Sequence, residues 1–206
     1  SFVVLPVMLI LYARRPDVVG TAGMTVAALA LAVQPDRAMA GVLAAGLIGP
    51  ALAAPGRLPR VAAAVSVLAF GWTLITPDTV PAAPFVDRVL YSAFAVHPLA
   101  GLAVLIGAAA LAVPGLAAAS RSARERPALL AFGGCWLGAV VAAALGDYPA
   151  PLVGYGGSAV LGYWLSVALL PGGARRAGAS RAPAERRPAG PASDPSASEL
   201  RVPRPA

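Results

Sequence analysis

The sequence contains no lysine, one cysteine (Cys135) and one histidine (His97). Without lysine no side-chain Schiff base can form, so a retinal protein is excluded even though the helix count invites one. One cysteine rules out an internal disulfide, and one cysteine with one histidine rules out a zinc site built from several such ligands. No cofactor and no metal are expected on this basis. Charge is scarce too, at 12% of residues against 58% hydrophobic, where soluble domains carry roughly 25% charged residues. The mean hydropathy is +0.75. A water-soluble domain does not have this balance; lipid is the solvent it fits.

What charge there is leans basic, with 16 arginines against 9 acidic residues. No interleaving of aromatic and basic residues accompanies the excess, so it does not point to nucleic acid. In a membrane chain it reflects arginine held on the cytoplasmic side. Ala, Leu, Val and Gly fill the rest, in uncharged blocks of 12 to 25 residues, most of them near the length that crosses hydrocarbon as a helix. The blocks run from Phe2 to Ala13, Val18 to Val33, Ala38 to Ala54, Val61 to Thr76, Val89 to Val113, Ala128 to Gly146 and Ser158 to Leu170. They predict an all-α, polytopic transmembrane helix bundle of about seven spans over residues 1–171. The first block opens at Ser1 without initiator Met or basic leader, so the chain is expected to start inside a longer protein.

Charges between the blocks test this count independently. Arginine accumulates in every second connection: Arg14 and Arg15, then Arg57 and Arg60, then Arg121, Arg124 and Arg126, then Arg175 and Arg176 after the last block. The alternate connections hold Asp36 with Arg37, Asp78, Asp87 with Arg88, and Asp147. That alternation places Ser1 outside and the C-terminus in the cytoplasm. From 172 to 206 large apolar residues almost vanish in favour of Arg, Pro, Ala and Ser, which predicts a disordered basic cytoplasmic tail. Membrane lipids are the expected surroundings, with Arg175 and Arg176 near anionic headgroups. No acidic or arginine side chain falls in the middle of a block, which argues against an ion pump. Gly134 and Gly138 form a small-xxx-small pattern that reads as ordinary helix contact or as a seat for a membrane protein partner.

Three features can carry chemistry. The outer connection from Pro77 to Arg88 is stiffened by prolines and presents Asp78 and Asp87, either of which can serve as a general base if its surroundings raise its pKa, or simply mark a solvated turn. His97, followed by Pro98, lies about two turns inside the fifth block, where an imidazole is either a functional group or a partner for backbone freed by the proline kink. The segment from Gly146 to Ser158 holds Pro149 and Pro151, which forbid a regular helix, then Gly154, Gly156 and Gly157, which permit close backbone approach. It is expected to fold back on the bundle as a shaped outer loop, or else to be a tight connection between two helices.

This last segment resembles a motif of the SEDS family, the FtsW/RodA-type peptidoglycan glycosyltransferases of bacterial shape, elongation, division and sporulation. Those proteins carry a Pro-x-Pro-x-x-Ser-Tyr-Gly-Gly-Ser loop on the periplasmic side before their last helix. Pro149, Pro151, Tyr155, Gly156, Gly157 and Ser158 match it at the same spacing, and Gly154 stands in place of the family's serine. The resemblance covers the C-terminal part of the family's ten-helix plan and places the Pro77 to Arg88 connection where the family holds its catalytic aspartate. In this chain that connection is about a dozen residues, far shorter than the family's loop. The resemblance implies a bacterial cytoplasmic (inner) membrane protein and a polyprenyl-linked sugar substrate at the outer leaflet. It also implies Asp87 or Asp78 as catalytic base, and a binding surface from Arg88, His97, Tyr155, Gly156, Gly157 and Ser158. Two other functions fit the composition: a non-catalytic scaffold of an envelope assembly, and a carrier of small molecules or lipids with a path along His97 and Pro98.

Overall fold

The computed structural model describes residues 2–76, 87–146, 148–151 and 157–170. Asp78, Asp147, Tyr155, Gly156 and the tail from 172 to 206 lie outside the described residues. Eight helices are described: α1 (Val4–Arg14), α2 (Val18–Val33), α3 (Arg37–Ala53), α4 (Leu58–Ile75), α5 (Val89–Val96), α6 (Pro98–Ala119), α7 (Arg126–Leu145) and α8 (Gly157–Ala168).

Local chemistry sets where they begin. Asp17 Oδ1 accepts the Gly20 N–H at 2.6 Å to open α2, and Asp36 Oδ1 accepts the Met39 N–H at 3.0 Å to open α3. Both carboxylates satisfy donors that a first turn leaves unpaired. Pro59, Pro98 and Pro127 stand in the first turns of α4, α6 and α7, where the missing N–H removes no helical hydrogen bond.

The fifth apolar block is two helices rather than one span. Proline drives the residue before it out of helical conformation, and His97 is extended at φ −163° and ψ 137°. Its Nδ1 then accepts the Leu99 N–H at 3.1 Å, so the imidazole caps α6. The chain bends sharply enough that the Phe94 ring lies on Gly101, with no room there for a Cβ. His97 is exposed at the N-terminal end of a 22-residue helix, not buried two turns inside a span.

By length and composition α4, α6 and α7 can each cross a membrane, at 18, 22 and 20 residues, while α1, α2, α3 and α8 are apolar and shorter. Much of their surface is exposed hydrocarbon: Leu52, Leu68 and Leu99 are 83%, 74% and 68% exposed. Apolar surface of this extent marks contact with lipid or with protein.

α3 is the hub, packed on α7, α4, α1 and α2, with its widest interface on α7. There the two backbones meet directly. A Cβ on Gly134 would strike the Ala45 carbonyl, and one on Gly138 would lie 2.9 Å from Ala45 Cβ and 3.2 Å from Val42 Cα. The Gly134 and Gly138 pair is therefore used inside the bundle, where close approach replaces a hydrophobic driving force that lipid does not supply. On the other side of α7 the fully buried Trp136 stacks edge-on to Tyr163 of α8, centroids 5.1 Å apart at 75°. Its indole N–H donates to Ser166 Oγ at 3.2 Å, giving the ring the polar partner that burial demands. Arg14 at the end of α1 donates to the Leu169 carbonyl just beyond α8.

Candidate functional site

The ends of α3, α4, α5 and α7 gather at one end of the bundle, held by a few polar ties. Arg37, the first residue of α3, reaches the end of α4: its Nε donates to the Thr73 carbonyl at 2.8 Å and its Nη2 to the Thr76 carbonyl. A cation on carbonyls at a helix C-terminus complements the helix dipole and satisfies acceptors the last turn cannot. Thr76 adds its own hydroxyl bond to the Trp72 carbonyl at 3.0 Å. The last turn of α4 is thus fastened where the chain enters the segment that carries Asp78.

That segment re-emerges at Asp87, which forms an antiparallel bridge with Pro149. The two outer segments singled out separately in the sequence are therefore in contact. Asp87 is half-buried and Arg88 exposed. Arg88 also takes the left-handed conformation, φ 60° and ψ 22°, which costs a non-glycine residue about 1 kcal/mol or more. Its carbonyl accepts the N–H groups of Tyr91 and Ser92, both at 2.9 Å, starting α5. Tyr91 Oη then donates to the Ala144 carbonyl at 2.5 Å in the last turn of α7. Beneath these ties Leu90, Ala143 and Ala150 form a small buried cluster of their own. α5 is consequently locked to both the α7 end and the Pro149 segment.

Two clefts open here. A small one of about 260 Å³ is bounded by Arg88, Tyr91, Ala144, Leu145 and Gly146. A larger one of about 770 Å³ descends between α3, α4 and α7 from Arg37 and Tyr148, in the size range of small-molecule sites. Leu145 and Gly146 line both. Gly146 is needed at this junction, because a Cβ there would lie 2.6 Å from the Tyr148 ring.

Of the expected site residues, Asp87 and Arg88 stand at this junction. His97 lies at the α5–α6 break, and Gly157 and Ser158 form the exposed first turn of α8; none of these three lines either cleft. Tyr91 was not singled out from sequence, Arg37 was named only as a charge beside Asp36, and Gly146 and Tyr148 figured only as members of the segment from Gly146 to Ser158. Arg37 had one legible signal, an arginine at the first position of an otherwise apolar helix. Among the described residues no three His, Cys, Asp or Glu side chains are grouped to hold a metal ion. No protein-family model, no curated protein and no solved structure matches the chain.

Proposed function

We propose that this chain is a multi-pass protein of the bacterial cytoplasmic membrane, C-terminus inside, that transfers sugar from a polyprenyl-linked donor at the outer leaflet. The observation that carries this reading is the bridge between Asp87 and Pro149. It sets a carboxylate and an arginine beside the segment that resembles the SEDS loop, and Arg88 lines the small cleft there. The alternation of arginine-rich and arginine-poor connections supports a seven-span topology, with α5 and α6 together serving as the fifth. α6 is long enough to span alone, so α5 would lie at the interface.

In this mechanism the Asp87 carboxylate takes the proton of an acceptor sugar hydroxyl while that oxygen bonds to the anomeric carbon of the donor. The bond from that carbon to the polyprenyl diphosphate oxygen breaks, and Arg88 meets the charge that develops on the leaving diphosphate. Asp78 is the other candidate base in the same connection. Growth complementation by Asp87→Asn and Asp78→Asn, at matched membrane abundance, tests the mechanism. Loss in one variant names the base, and full complementation by both removes glycosyl transfer.

One observation favours a scaffold instead. α6 buries only 22% of its apolar window within the chain, leaving a broad face for a partner helix. Full complementation by both aspartate variants, with loss on polar substitution of Leu102 or Ile106, would select that reading.

A further inference from the structure

We propose that the arginine-rich end of the bundle binds an anionic phospholipid, one with two headgroup phosphates, between Arg57 and Arg60 on one side and Arg121, Arg124 and Arg126 on the other. The site is independent of sugar transfer and lies at the opposite end of α7 from the Asp87 segment.

The packing of α3 on α7 brings the two arginine groups together. The helices run antiparallel: Gly41 and Val42 meet α7 at Gly138, whereas Gly49 meets it at Leu130. From that last contact α3 ends four residues on, at Ala53, and α7 begins four residues before, at Arg126, a rise of about 6 Å in each. Both ends therefore stand at one level. The connection that leaves α3 carries Arg57 and leads into α4, whose first turn holds Arg60. The connection that enters α7 carries Arg121 and Arg124.

These arginines have no other task in the described structure. All five are exposed, and among the described residues none of them donates a side-chain hydrogen bond or joins an ion pair. Arg14 and Arg37, by contrast, are occupied, Arg14 by the Leu169 carbonyl and Arg37 by those of Thr73 and Thr76. Glu125 is the one acid on either connection, so five positive charges face a single negative one. Retention on one side of a membrane needs such charges only to be present. Their convergence at the α3–α7 contact makes a site, because like charges held together are relieved by an anion placed among them.

Apolar surface beside the arginines selects a lipid over a soluble phosphate. Leu52, in the last turn of α3, is 83% exposed, and Val61, next to Arg60 on α4, is 49% exposed. Acyl chains laid along these side chains keep the headgroup at the helix ends, where the guanidinium groups are. Two arginine groups from two connections suit two phosphates, since each phosphate then takes its own guanidinium partners.

The test is lipid binding to the purified full chain in detergent, read by native mass spectrometry, with cardiolipin as the two-phosphate lipid, phosphatidylglycerol as the one-phosphate lipid and phosphatidylcholine as the neutral one. Cardiolipin is expected to bind about tenfold more tightly than phosphatidylglycerol, and phosphatidylcholine more weakly than either. Arg57→Gln with Arg60→Gln, and Arg124→Gln with Arg126→Gln, should each raise the cardiolipin Kd about tenfold. The same pairs changed to lysine should stay within about threefold, because the charge is kept. Arg15→Gln, at the same end but on the connection between α1 and α2, should stay within about twofold. A loss from Arg15→Gln equal to that from either pair overturns the site, since only diffuse surface charge is then left. Equal binding of cardiolipin and phosphatidylcholine does the same, and phosphatidylglycerol binding as tightly as cardiolipin removes the two-phosphate assignment. Inorganic phosphate bound as tightly as cardiolipin would assign the arginines to a soluble anion. None of these readings uses sugar transfer, so failure of the Asp87 mechanism leaves the site standing, and loss of the site leaves the mechanism.

Discussion

The middle of the bundle and its outer end are held in opposite ways. In the middle, α3 and α7 touch backbone to backbone through Gly134, Gly138 and Ala45, and Trp136 fills the far side of α7 completely. At the end that holds Arg37 the same helices part around about 770 Å³ of open volume, and hydrogen bonds from Arg37 to the end of α4 and from Tyr91 to α7 keep the opening in shape. Close packing supplies stability because dispersion adds over many atom pairs. A few polar ties suffice for shape because each has a direction. A site that must admit a ligand can afford only the second kind of restraint.

Substitutions that fall on one side of this division should show one kind of defect only. The largest effect is expected at Trp136→Ala, at about 3–5 kcal/mol for a fully buried ring, read as a large drop in thermal midpoint in detergent. Gly134→Leu follows: its side chain must displace the Ala45 backbone, and overpacking of this kind costs about 1–3 kcal/mol, so the folded fraction recovered from membranes should fall. If Asp87 is the base of the proposed sugar transfer, Asp87→Asn lowers that turnover about 10²–10⁴-fold with the thermal midpoint unchanged. A midpoint that fell with it would show that Asp87 acts through the fold. Smallest is Tyr91→Phe, which removes the bond to the Ala144 carbonyl at a cost of about 1 kcal/mol. It should raise KM more than it lowers kcat, since it loosens the rim and leaves the carboxylate in place.

Much of the fold was legible from apolar run length, because crossing hydrocarbon demands a minimum number of uncharged residues whatever their order. Each block from the sequence corresponds to a helix, and the exception is instructive. His97 and Pro98 announced a disturbance in the fifth block, but whether that meant a kink or a break depended on the Phe94 ring finding Gly101 across the bend. The glycine pair on α7 was legible as a contact, while its partner on α3 was not. Arg37 was grouped with Asp36 as a charge of the outer connection, and its reach to the end of α4 is a contact between residues 36 and 39 positions apart that no local pattern encodes.

The sequence alone determined which stretches are helical, through apolar length, and it marked a disturbance at His97 and Pro98. Its arginine pattern also set the expected orientation. Only the tertiary structure decided which helix faces touch and which outer segments meet. α6 and α7 are apolar on every side, so they lack the periodic stripe that tells a soluble helix which face to bury. Shape does that work here: glycine and alanine let α3 and α7 close on each other, Phe70 and Leu74 of α4 line the gap that remains, and the cleft below Arg37 exists only once all three helices are in place.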